Sequence, residues 1–500
     1  MLYQSTRGDS GRYKSAAAIS QGLANDGGLF APDSLPIITY DDIVSLAQKP
    51  YYKRAAYIMS LFLEDFTIDE LEEYSERAYS TSCDNGFTNE AVAPLYKLDD
   101  KTHFLELWHG PTYAFKDMAL QIMPKLLVKS LEKVGESREV CILVATSGDT
   151  GKAALEGFCD IPGTKIIVFY PQDGVSEIQK QQMISQLGNN VDVIAVEGNF
   201  DDAQTGVKNI FSDSDFCTQL NQDGYILSSA NSINVGRLVP QVAYYVSAYC
   251  DLLINNEIEL GEKINFCVPT GNFGNILAAY YAERMGLPIN KLICASNSND
   301  VLTQFINTGV YDRGRPFYTT VSPSMDILVS SNLERLLFEL SGKNCDEIAS
   351  YMSALSDDGQ YAVSDDIRNE LDRIFYAGHC SETDTMKTIK DTFSTNNYLI
   401  DTHTAVAYKV LNDYISTTGD NKTSVVVSTA SPFKFCEAVL ESLDIRPKGN
   451  GIDLVEELSL VTGCAAPKHL ASLKDCVPRF NSVVPTNAMK SVVNKFIRGS

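Results

Sequence analysis

The amino-acid sequence predicts an α/β fold with mostly parallel sheets, and three features of its 500 residues indicate this. Seven short apolar runs show little polar alternation, as expected for strands that are buried on both faces. Amphipathic helical patterns separate many of these runs, and such alternation is typical of parallel sheets covered by helices. Helical patterns without such runs occupy the N-terminal region. The seven runs are residues 140–145, 165–170, 191–196, 225–230, 264–269, 291–296 and 424–429.

These patterns divide the chain into four predicted regions. Residues 1–95 are expected to form a mostly helical N-terminal domain, and residues 96–260 a first doubly wound α/β domain. Residues 261–440 are expected to form a second α/β domain, with an acidic, helix-rich insertion at about 311–400. Residues 441–500 are predicted to be a helical segment that packs on the outside.

Composition excludes several classes of function. The formal net charge of −23 argues against a nucleic-acid partner, because phosphate backbones need a basic surface. No apolar run reaches the roughly 18 residues of a membrane span, and the N-terminus lacks the apolar core of a signal peptide. The 12 cysteines never occur at C-x-x-C spacing and there are only five histidines, so we expect no metal site and no disulfide framework. Reduced thiols fit a cytoplasmic protein.

A lysine in an apolar setting is the first candidate for chemistry. Lys116 lies in HGPTYAFKDMAL (109–120), between Phe115 and Asp117 and just after a Gly-Pro turn. Apolar neighbours disfavour the ammonium form and should lower its pKa. A neutral amine is a nucleophile that can form a Schiff base with an aldehyde. The alternative is a surface lysine that extends to water beside a salt-bridging Asp117.

A second candidate is the loop that follows the run at 140–145. The segment ATSGDTGKAAL (145–155) opens a helix with small residues, so free backbone N–H groups could receive a carboxylate or phosphate. It is not a P-loop, because Thr146 replaces the first glycine of that motif and Ala153 replaces its Ser or Thr. An ordinary capped turn between strand and helix is the alternative.

A third candidate follows the run at 264–269. In VPTGNFGNILAAY (268–280), Gly271 and Gly274 flank two residues and lead into a helix, which indicates a nest for one phosphate. The pattern is not G-x-G-x-x-G, so it does not favour a dinucleotide. The alternative is a turn that uses glycine for a positive φ. A fourth segment, VVVSTASPFKF (425–435), taken alone favours a simple helix cap.

Together these candidates indicate one cofactor. An amine suited to an aldehyde, a cradle for one phosphate and a loop for a carboxylate fit pyridoxal 5′-phosphate bound with an amino-acid substrate.

The motifs also resemble a known family. GRYKSAAAISQGLANDGGLFAP (11–32), HGPTYAFKDMAL, ATSGDTG, SANSINVGRLVPQ (229–241), VPTGNFGN and STASPFKF occur in the order found in the threonine synthase family, in its longer bacterial and fungal form. The resemblance covers about residues 5–440. It implies the architecture of fold-type II pyridoxal-phosphate enzymes, which is similar to the tryptophan synthase β chain.

The resemblance implies a role for each matching residue. Lys116 would be the Schiff-base lysine and main proton shuttle, and Thr429 would hydrogen-bond the pyridine nitrogen. The cofactor-binding residues implied are Lys116, Gly271, Asn272, Phe273, Gly274, Asn275, Thr429 and Asp149. The substrate-binding residues implied are Thr146, Ser147, Thr150, Asn231, Ser232 and Arg237. Without the family context, Arg237 would be interpreted as a helix-surface arginine, and the charge state of Asp149 close to the cofactor's phenolate is a puzzle.

The reaction implied is the conversion of O-phospho-L-homoserine and water to L-threonine and phosphate, by β,γ-elimination and replacement. The chain would then be a carbon–oxygen lyase acting on phosphates, at the last step of threonine biosynthesis, and a monomer or homodimer. Two alternatives stay open. One is a serine or threonine dehydratase, which would share Lys116 and the glycine loop. The other is a non-catalytic relative that only binds pyridoxal phosphate or phosphorylated metabolites.

Overall fold

The computed structural model describes residues 1–82 and 86–499. The strands are β1 (Tyr3–Ser5), β2 (Phe30–Pro32), β3 (Leu95–Lys97), β4 (Thr102–Glu106), β5 (Glu139–Ala145), β6 (Thr164–Pro171), β7 (Val191–Val196), β8 (Tyr225–Ser228), β9 (Ile264–Pro269), β10 (Ile289–Ser296), β11 (Val310–Asp312), β12 (Gln360–Ala362), β13 (Phe375–His379), β14 (Ser424–Ser428) and β15 (Val483–Val484).

Helices surround these strands along the whole chain. They are α1 (Ser15–Gln21), α2 (Tyr40–Ala47), α3 (Tyr51–Phe62), α4 (Ile68–Ala78), α5 (Asp117–Leu120), α6 (Met123–Lys133), α7 (Asp149–Phe158), α8 (Glu177–Ile184), α9 (Phe200–Ser212), α10 (Ser214–Gln222), α11 (Val235–Ile254), α12 (Gly274–Arg284), α13 (Val301–Thr308), α14 (Leu333–Leu340), α15 (Cys345–Asp357), α16 (Asp365–Ile374), α17 (Glu382–Asn396), α18 (Thr402–Thr418), α19 (Cys436–Ser442), α20 (Asp453–Thr462), α21 (Lys468–Ala471) and α22 (Met489–Arg498).

Two sheets form the centre of the molecule. The six-stranded sheet has the order β13-β10-β9-β14-β4-β3 and is parallel except for the antiparallel edge strand β3. The five-stranded sheet has the order β15-β7-β6-β5-β8 and is parallel throughout. Their central strands are buried along nearly their whole length, which explains the apolar runs without alternation. The predicted α/β class with two parallel sheets is confirmed.

Strand pairing connects residues from different predicted regions. Strands β3 and β4 lie at the start of the predicted first α/β domain, yet β4 pairs with β14 in the sheet of the second. Strand β13 lies inside the predicted helical insertion, yet it pairs with β10 at the edge of the same sheet. The predicted helical segment 441–500 also adds the short strand β15 to the five-stranded sheet. Pairing between strands that are far apart in the chain determines which sheet each strand joins, and no local sequence pattern reveals it.

The N-terminal region packs four helices and the β1–β2 pair against the rest of the chain. Helices α2 and α4 begin with complete capping boxes at Thr39 and Thr67. Helix α3 is joined to the long buried helix α11 by an ion pair in which Arg54 Nη1 lies 2.6 Å from Asp251 Oδ1. This region therefore forms one wall around the helix that carries Arg237.

The candidate segments all follow the carboxyl ends of strands. Residues 109–116 follow β4, the loop at 146 follows β5, residue 231 follows β8, the glycine loop follows β9 and Thr429 follows β14. In open α/β sheets this is the edge where ligands bind. Within the described residues, no helix is both long and apolar enough to cross a membrane, and no group of three or more His, Cys, Asp or Glu could hold a metal ion.

Candidate active site

Two backbone hydrogen bonds place Lys116 beside Thr429. The Phe115 N–H donates to the Thr429 carbonyl at 2.8 Å, and the Ser431 N–H donates to the Tyr113 carbonyl at 3.0 Å. The chain turns tightly before Lys116, with Tyr113 at φ 60°, in the left-handed region. A non-glycine residue there carries strain that surrounding structure must hold, and such strain is common at functional sites.

The side chain of Lys116 is only 10% exposed and has three close neighbours. Its Nζ lies 3.4 Å from Asp149 Oδ2, 3.3 Å from Ser324 Oγ and 4.8 Å from the centre of the Phe115 ring. Burial lowers the pKa of Lys116, the charge of Asp149 raises it, and the charges of Lys434 and Arg237 lower it. The interpretation of Lys116 as an exposed surface lysine is wrong, although the ring itself favours the ammonium form, so burial is the main cause of the lowered pKa.

Asp117 does not pair with Lys116. Its carboxylate accepts hydrogen bonds from the Thr112 N–H and hydroxyl, at 2.8 and 2.9 Å, and from Gln121 Nε2 at 2.9 Å. Burial raises the pKa of Asp117 to about 6, against the lowering effect of these hydrogen bonds. Asp117 therefore holds the turn that precedes Lys116 and does not neutralise the lysine.

Asp149 is held in a network that the sequence did not reveal. Lys434 Nζ lies 2.6 Å from Asp149 Oδ1 and donates to the Thr112 carbonyl at 2.9 Å. Gln179 Nε2 also donates to Asp149 Oδ1, at 2.7 Å. Burial alone would raise the pKa of Asp149, but the charges of Lys434 and Lys116 and these hydrogen bonds hold it below its usual range. The carboxylate is therefore ionised, which answers the question of its charge state.

The loop after β5 has open donors at the start of α7. Thr146 Oγ1 accepts from the N–H groups of Gly148 and Gly151, at 3.0 and 2.9 Å, and so fixes the shape of the loop. The N–H groups of Ser147, Asp149 and Thr150 donate no hydrogen bond to a described residue. Helix α7 has no side-chain cap, which leaves its positive end available for an anion.

The glycine loop after β9 has the same property. Within the described part of the chain, the N–H groups of residues 271–275 donate no hydrogen bond, and helix α12 has no side-chain cap. Neither Gly271 nor Gly274 has a positive φ; Phe273 does, at 60°. The alternative of a turn that uses glycine for its φ is therefore wrong. A Cβ on Gly271 would instead lie 2.6 Å from the Ser324 carbonyl oxygen, so close approach of backbone requires this glycine.

Arg237 lies near the loop after β5. It is buried in the first turn of α11, where Nη1 donates to the Ala230 carbonyl at 2.8 Å and Nη2 lies 3.5 Å from Thr150 Oγ1. Burial lowers its pKa to about 10, and the group stays charged at neutral pH. Arg237 is therefore not a helix-surface residue. Asn231 and Ser232 lie half-buried just before α11, and their side chains make no hydrogen bond to a described residue.

Two further residues near the site come from segments without a recognisable motif. Ser324 Oγ reaches Lys116, and the Ser324 N–H donates to His403 Nε2 at 3.2 Å. Asp401 Oδ2 lies 2.7 Å from His403 Nδ1, which fixes the ring so that Nε2 accepts.

A buried arginine connects the glycine loop to the segment before α11. Asn332 donates to the Asn272 carbonyl from its N–H and its Nδ2, each at 3.1 Å. Arg335 is fully buried and donates at 2.5 Å to both Asn332 Oδ1 and the Ile233 carbonyl. The predicted insertion thus supplies a brace between two candidate anion sites. In the sequence, the only indication of this brace is the pair Asn332 and Arg335, which are three residues apart, as on one face of a helix.

Comparisons with known proteins match most of the chain to one family. Three family models match in order: threonine synthase N terminus at residues 2–79, pyridoxal-phosphate dependent enzyme at 89–430 and threonine synthase C-terminal at 404–497. Threonine synthase of Pseudomonas aeruginosa is 38% identical over 477 residues, which cover 95% of this chain and 93% of that protein. The chain belongs to the threonine synthase family.

Other members of the threonine synthase family agree in sequence and structure. Human threonine synthase-like 1 is 42% identical over 440 residues, which cover 86% of this chain and 58% of the human protein. The chain thus spans less than two thirds of the length of that relative. The crystal structure of pyridoxal-phosphate-bound threonine synthase from Brucella melitensis has a TM-score of 0.87 and 36% identity, with full coverage of both chains. The fold is therefore that of fold-type II pyridoxal-phosphate enzymes, as the motifs implied.

The residues present fit pyridoxal phosphate. The N–H groups of residues 271–275, which donate to no described residue, form a donor set for a phosphate. Ser324 connects them to the amine, since its hydroxyl contacts Lys116 Nζ and its carbonyl lies close to Gly271. Thr429 is a buried residue, and its hydroxyl makes no hydrogen bond to a described residue. Asn275 Oδ1 accepts from Tyr244 and Tyr245, whereas the buried Asn275 Nδ2 lacks a partner within the described residues. Buried donors without partners are costly, which indicates that a ligand completes this site.

Proposed function

We propose that this chain is a threonine synthase that converts O-phospho-L-homoserine and water to L-threonine and inorganic phosphate with pyridoxal phosphate as cofactor. One observation carries the proposal: Lys116 Nζ contacts Asp149 at the N-terminus of α7 and Ser324, whose carbonyl lies close to Gly271 in the loop before α12. The N–H groups at both helix N-termini donate to no described residue, and the buried cation Arg237 lies beside Thr150 at the first of them. An enzyme for a phosphorylated amino acid needs sites for two phosphates and one carboxylate, and these groups supply them.

The cofactor is held by residues from both sheets. Lys116 would bind its aldehyde through Nζ, and the N–H groups of Gly271, Asn272, Phe273, Gly274 and Asn275 would hold its phosphate. The Thr429 hydroxyl would hydrogen-bond its pyridine nitrogen, and Asp149 would contribute to binding near its 3′-oxygen. Bound pyridoxal phosphate supplies an electron-withdrawing ring that stabilises negative charge at the substrate's Cα and beyond. A hydroxyl at Thr429, unlike a carboxylate, leaves the pyridine nitrogen largely unprotonated.

The substrate is held by the loop after β5 and by the start of α11. The N–H groups of the loop that contains Thr146, Ser147 and Thr150 bind its carboxylate. Arg237 binds its phosphate, with Asn231 and Ser232 as further donors. A planar guanidinium can pair two phosphate oxygens at once, which suits this role. The second phosphate site separates this function from that of a dehydratase, whose substrate has no phosphate.

Lys116 moves the protons of the reaction. Its Nζ takes the proton from the substrate's Cα when neutral and returns a proton when charged, and a lowered pKa makes both forms accessible near neutral pH. Phosphate leaves from Cγ and water adds at Cβ, so that one water is consumed for each phosphate released.

We further propose that the enzyme is cytoplasmic and a monomer or homodimer. The free thiols of the described cysteines support a reducing compartment. The four regions 1–95, 96–260, 261–440 and 441–500 are kept as a proposal for how the chain divides, with β3, β4 and β13 assigned to the larger sheet.

The test is a release assay on purified protein with pyridoxal phosphate and O-phospho-L-homoserine, with Lys116→Ala as the comparison. Threonine and phosphate should form one to one, and the variant should lose at least about a thousandfold in rate. Deamination of serine or threonine in place of phosphate release would favour a dehydratase. A cofactor absorption band without turnover of any of these amino acids would favour a non-catalytic binder.

A further inference from the structure

A fully buried lysine beside the reactive lysine has no role in the mechanism above. Lys434 lies in the short 3-10 helix Pro432–Lys434, between Phe433 and Phe435, and its side chain has no exposed surface. A buried lysine is normally neutral or tightly paired, because desolvation penalises its charge. Its partner here is Asp149, the carboxylate that also faces Lys116.

The two lysines contact the carboxylate unequally. Lys434 Nζ lies 2.6 Å from Oδ1, where Gln179 also donates at 2.7 Å, whereas Lys116 Nζ lies 3.4 Å from Oδ2. Lys434 Nζ also donates to the Thr112 carbonyl at 2.9 Å, and this second contact holds it in place if Lys116 moves. The tight ion pair of Asp149 is therefore with Lys434, and its contact with Lys116 is long.

We propose that Lys434 is a positioning residue that engages Asp149, so that the carboxylate neither binds Lys116 tightly nor fixes it as an ammonium. The inference rests on the proposed role of Lys116 as the cofactor lysine. Without Lys434, Asp149 would be a buried anion whose nearest cation is Lys116. A buried carboxylate in that position stabilises a proton on the facing nitrogen.

Every charged group that faces Lys116 enters this balance. Asp149 reaches it from α7, Arg237 from α11 and Lys434 from the segment after β14. Ser324 contributes a neutral hydroxyl, backed by His403. Burial and the positive charges of Lys434 and Arg237 favour a neutral nitrogen at Lys116, and only Asp149 opposes them.

The test uses the cofactor-loaded enzyme and its absorption spectrum as a function of pH, which reports the proton on the Lys116 nitrogen without turnover. Lys434→Met should move the midpoint of the transition upward by about one pH unit or more. Lys434→Met combined with Asp149→Asn should move it back down, since the unbalanced carboxylate is gone. If Lys434 had only a structural role, Lys434→Met would lower thermal stability, but the midpoint would not rise in this variant and fall again in the double variant.

Two variants serve as controls. Lys434→Arg keeps the charge beside Asp149 but adds bulk at a fully buried position, so it should lower thermal stability while leaving the midpoint within a few tenths of a unit of that of the unmodified enzyme. Lys165→Met removes a lysine that likewise donates to a backbone carbonyl, that of Ile497. Lys165 lies at the amino end of β6, opposite the strand ends that carry the site, so this variant should not move the midpoint. If Lys434→Met does not fold, Asp149→Asn alone should have a lower midpoint than the double variant, because it keeps the unpaired Lys434 charge.

The outcomes separate this inference from the proposed function. An unchanged midpoint in a folded, loaded Lys434→Met enzyme, or equal midpoints for Asp149→Asn and the double variant, would overturn the role of Lys434. The predicted shifts without any release of phosphate from O-phospho-L-homoserine would support Lys434 and reject the substrate. No cofactor band in the unmodified chain would overturn both.

Discussion

The loop after β9 and the loop after β5 use the same backbone device for different purposes. Each leads into a helix without a side-chain cap, and each leaves N–H groups unpaired to described residues. The loop at 270–275 contains no ionisable side chain, whereas the loop at 146–151 contains Asp149 between two lysines. A neutral cradle suits a phosphate whose charge stays constant. A loop with its own balanced charge suits the place where protons move.

The glycines of the two loops also differ in purpose. Gly271 has an ordinary φ, but its missing Cβ makes room for the Ser324 carbonyl oxygen 2.6 Å away. Gly148 has a φ of 143°, and a Cβ there would also lie 2.6 Å from the Gln179 side chain. Close packing therefore requires the first glycine, whereas both backbone conformation and packing require the second.

The largest effect should come from Asp149→Asn, which removes the charge that distinguishes the two loops. Lys434 would then be a buried cation without its partner, at a cost of about 3–5 kcal/mol in the free energy of unfolding. Turnover should fall by about a hundredfold or more, because the proton balance at Lys116 changes. Urea denaturation and the phosphate-release assay measure the two effects.

The stability difference between Asp149→Asn and the unmodified chain should depend on pH in a defined way. The pKa of Asp149 is held below its usual range, so its stabilising effect is fully present above the unfolded-state pKa of about 4 and is lost only as pH falls below it. The difference should be constant between about pH 8 and pH 5 and should shrink in stronger acid. A difference that grows on acidification would contradict the ionised, lysine-paired state.

The next effect compares one glycine from each loop. Gly271→Ala forces the loop or the Ser324 carbonyl to move and should weaken pyridoxal phosphate binding by about ten- to a hundredfold. Gly148→Ala imposes backbone strain of about 1–3 kcal/mol and displaces Gln179 from Asp149, so turnover should fall more than cofactor affinity. Cofactor fluorescence titration and steady-state kinetics distinguish the two. Equal loss of cofactor affinity in both variants would show that the loops share one purpose.

A smaller and more selective effect is expected for Arg237→Met. The variant keeps much of the side-chain volume but removes the cation near Thr150, so KM for O-phospho-L-homoserine should rise by about ten- to a hundredfold. Affinity for pyridoxal phosphate should change little, since the glycine loop holds that phosphate. Inorganic phosphate should also become a weaker competitive inhibitor. If KM were unchanged and cofactor affinity were lost, Arg237 would bind the phosphate of the cofactor and not that of the substrate.

The sequence predicted the buried strands well and the mixed ones poorly. Each of the seven apolar runs coincides with a strand from β5 to β14, although the runs at 225–230 and 424–429 extend one or two residues past the strand end. The strands β4, with sequence THFLE, and β13, with sequence FYAGH, lack such runs; β4 lies in the predicted first α/β domain and β13 in the predicted helical insertion. They form because neighbouring strands of the larger sheet offer pairing partners from far along the chain. Local propensity cannot supply that information.

At the site, the sequence indicated local motifs and missed the residues that support them. Lys116 and both loops follow strand ends and were found in this way, whereas Gln179, Ser324 and His403 come from segments without any motif. Lys434 is the instructive omission. It lies between Phe433 and Phe435, and the reasoning that selected Lys116 beside Phe115 would have selected it too. A second lysine in apolar surroundings implies a buried carboxylate, and Asp149 was already a candidate.

The smallest effect should come from a helix N-terminus that the protein does cap. In α4, the Thr67 hydroxyl accepts from the Glu70 N–H, and the Glu70 carboxylate accepts from the Thr67 N–H. Thr67→Ala should lower the free energy of unfolding by about 1 kcal/mol and leave turnover and cofactor affinity unchanged. Thr39→Ala in α2 is the matched variant with the same capping box. Urea denaturation and cofactor titration check both. If either variant weakened cofactor binding, the capped N-termini would not be independent of the open ones, and the contrast between structural caps and ligand-binding helix ends would fail.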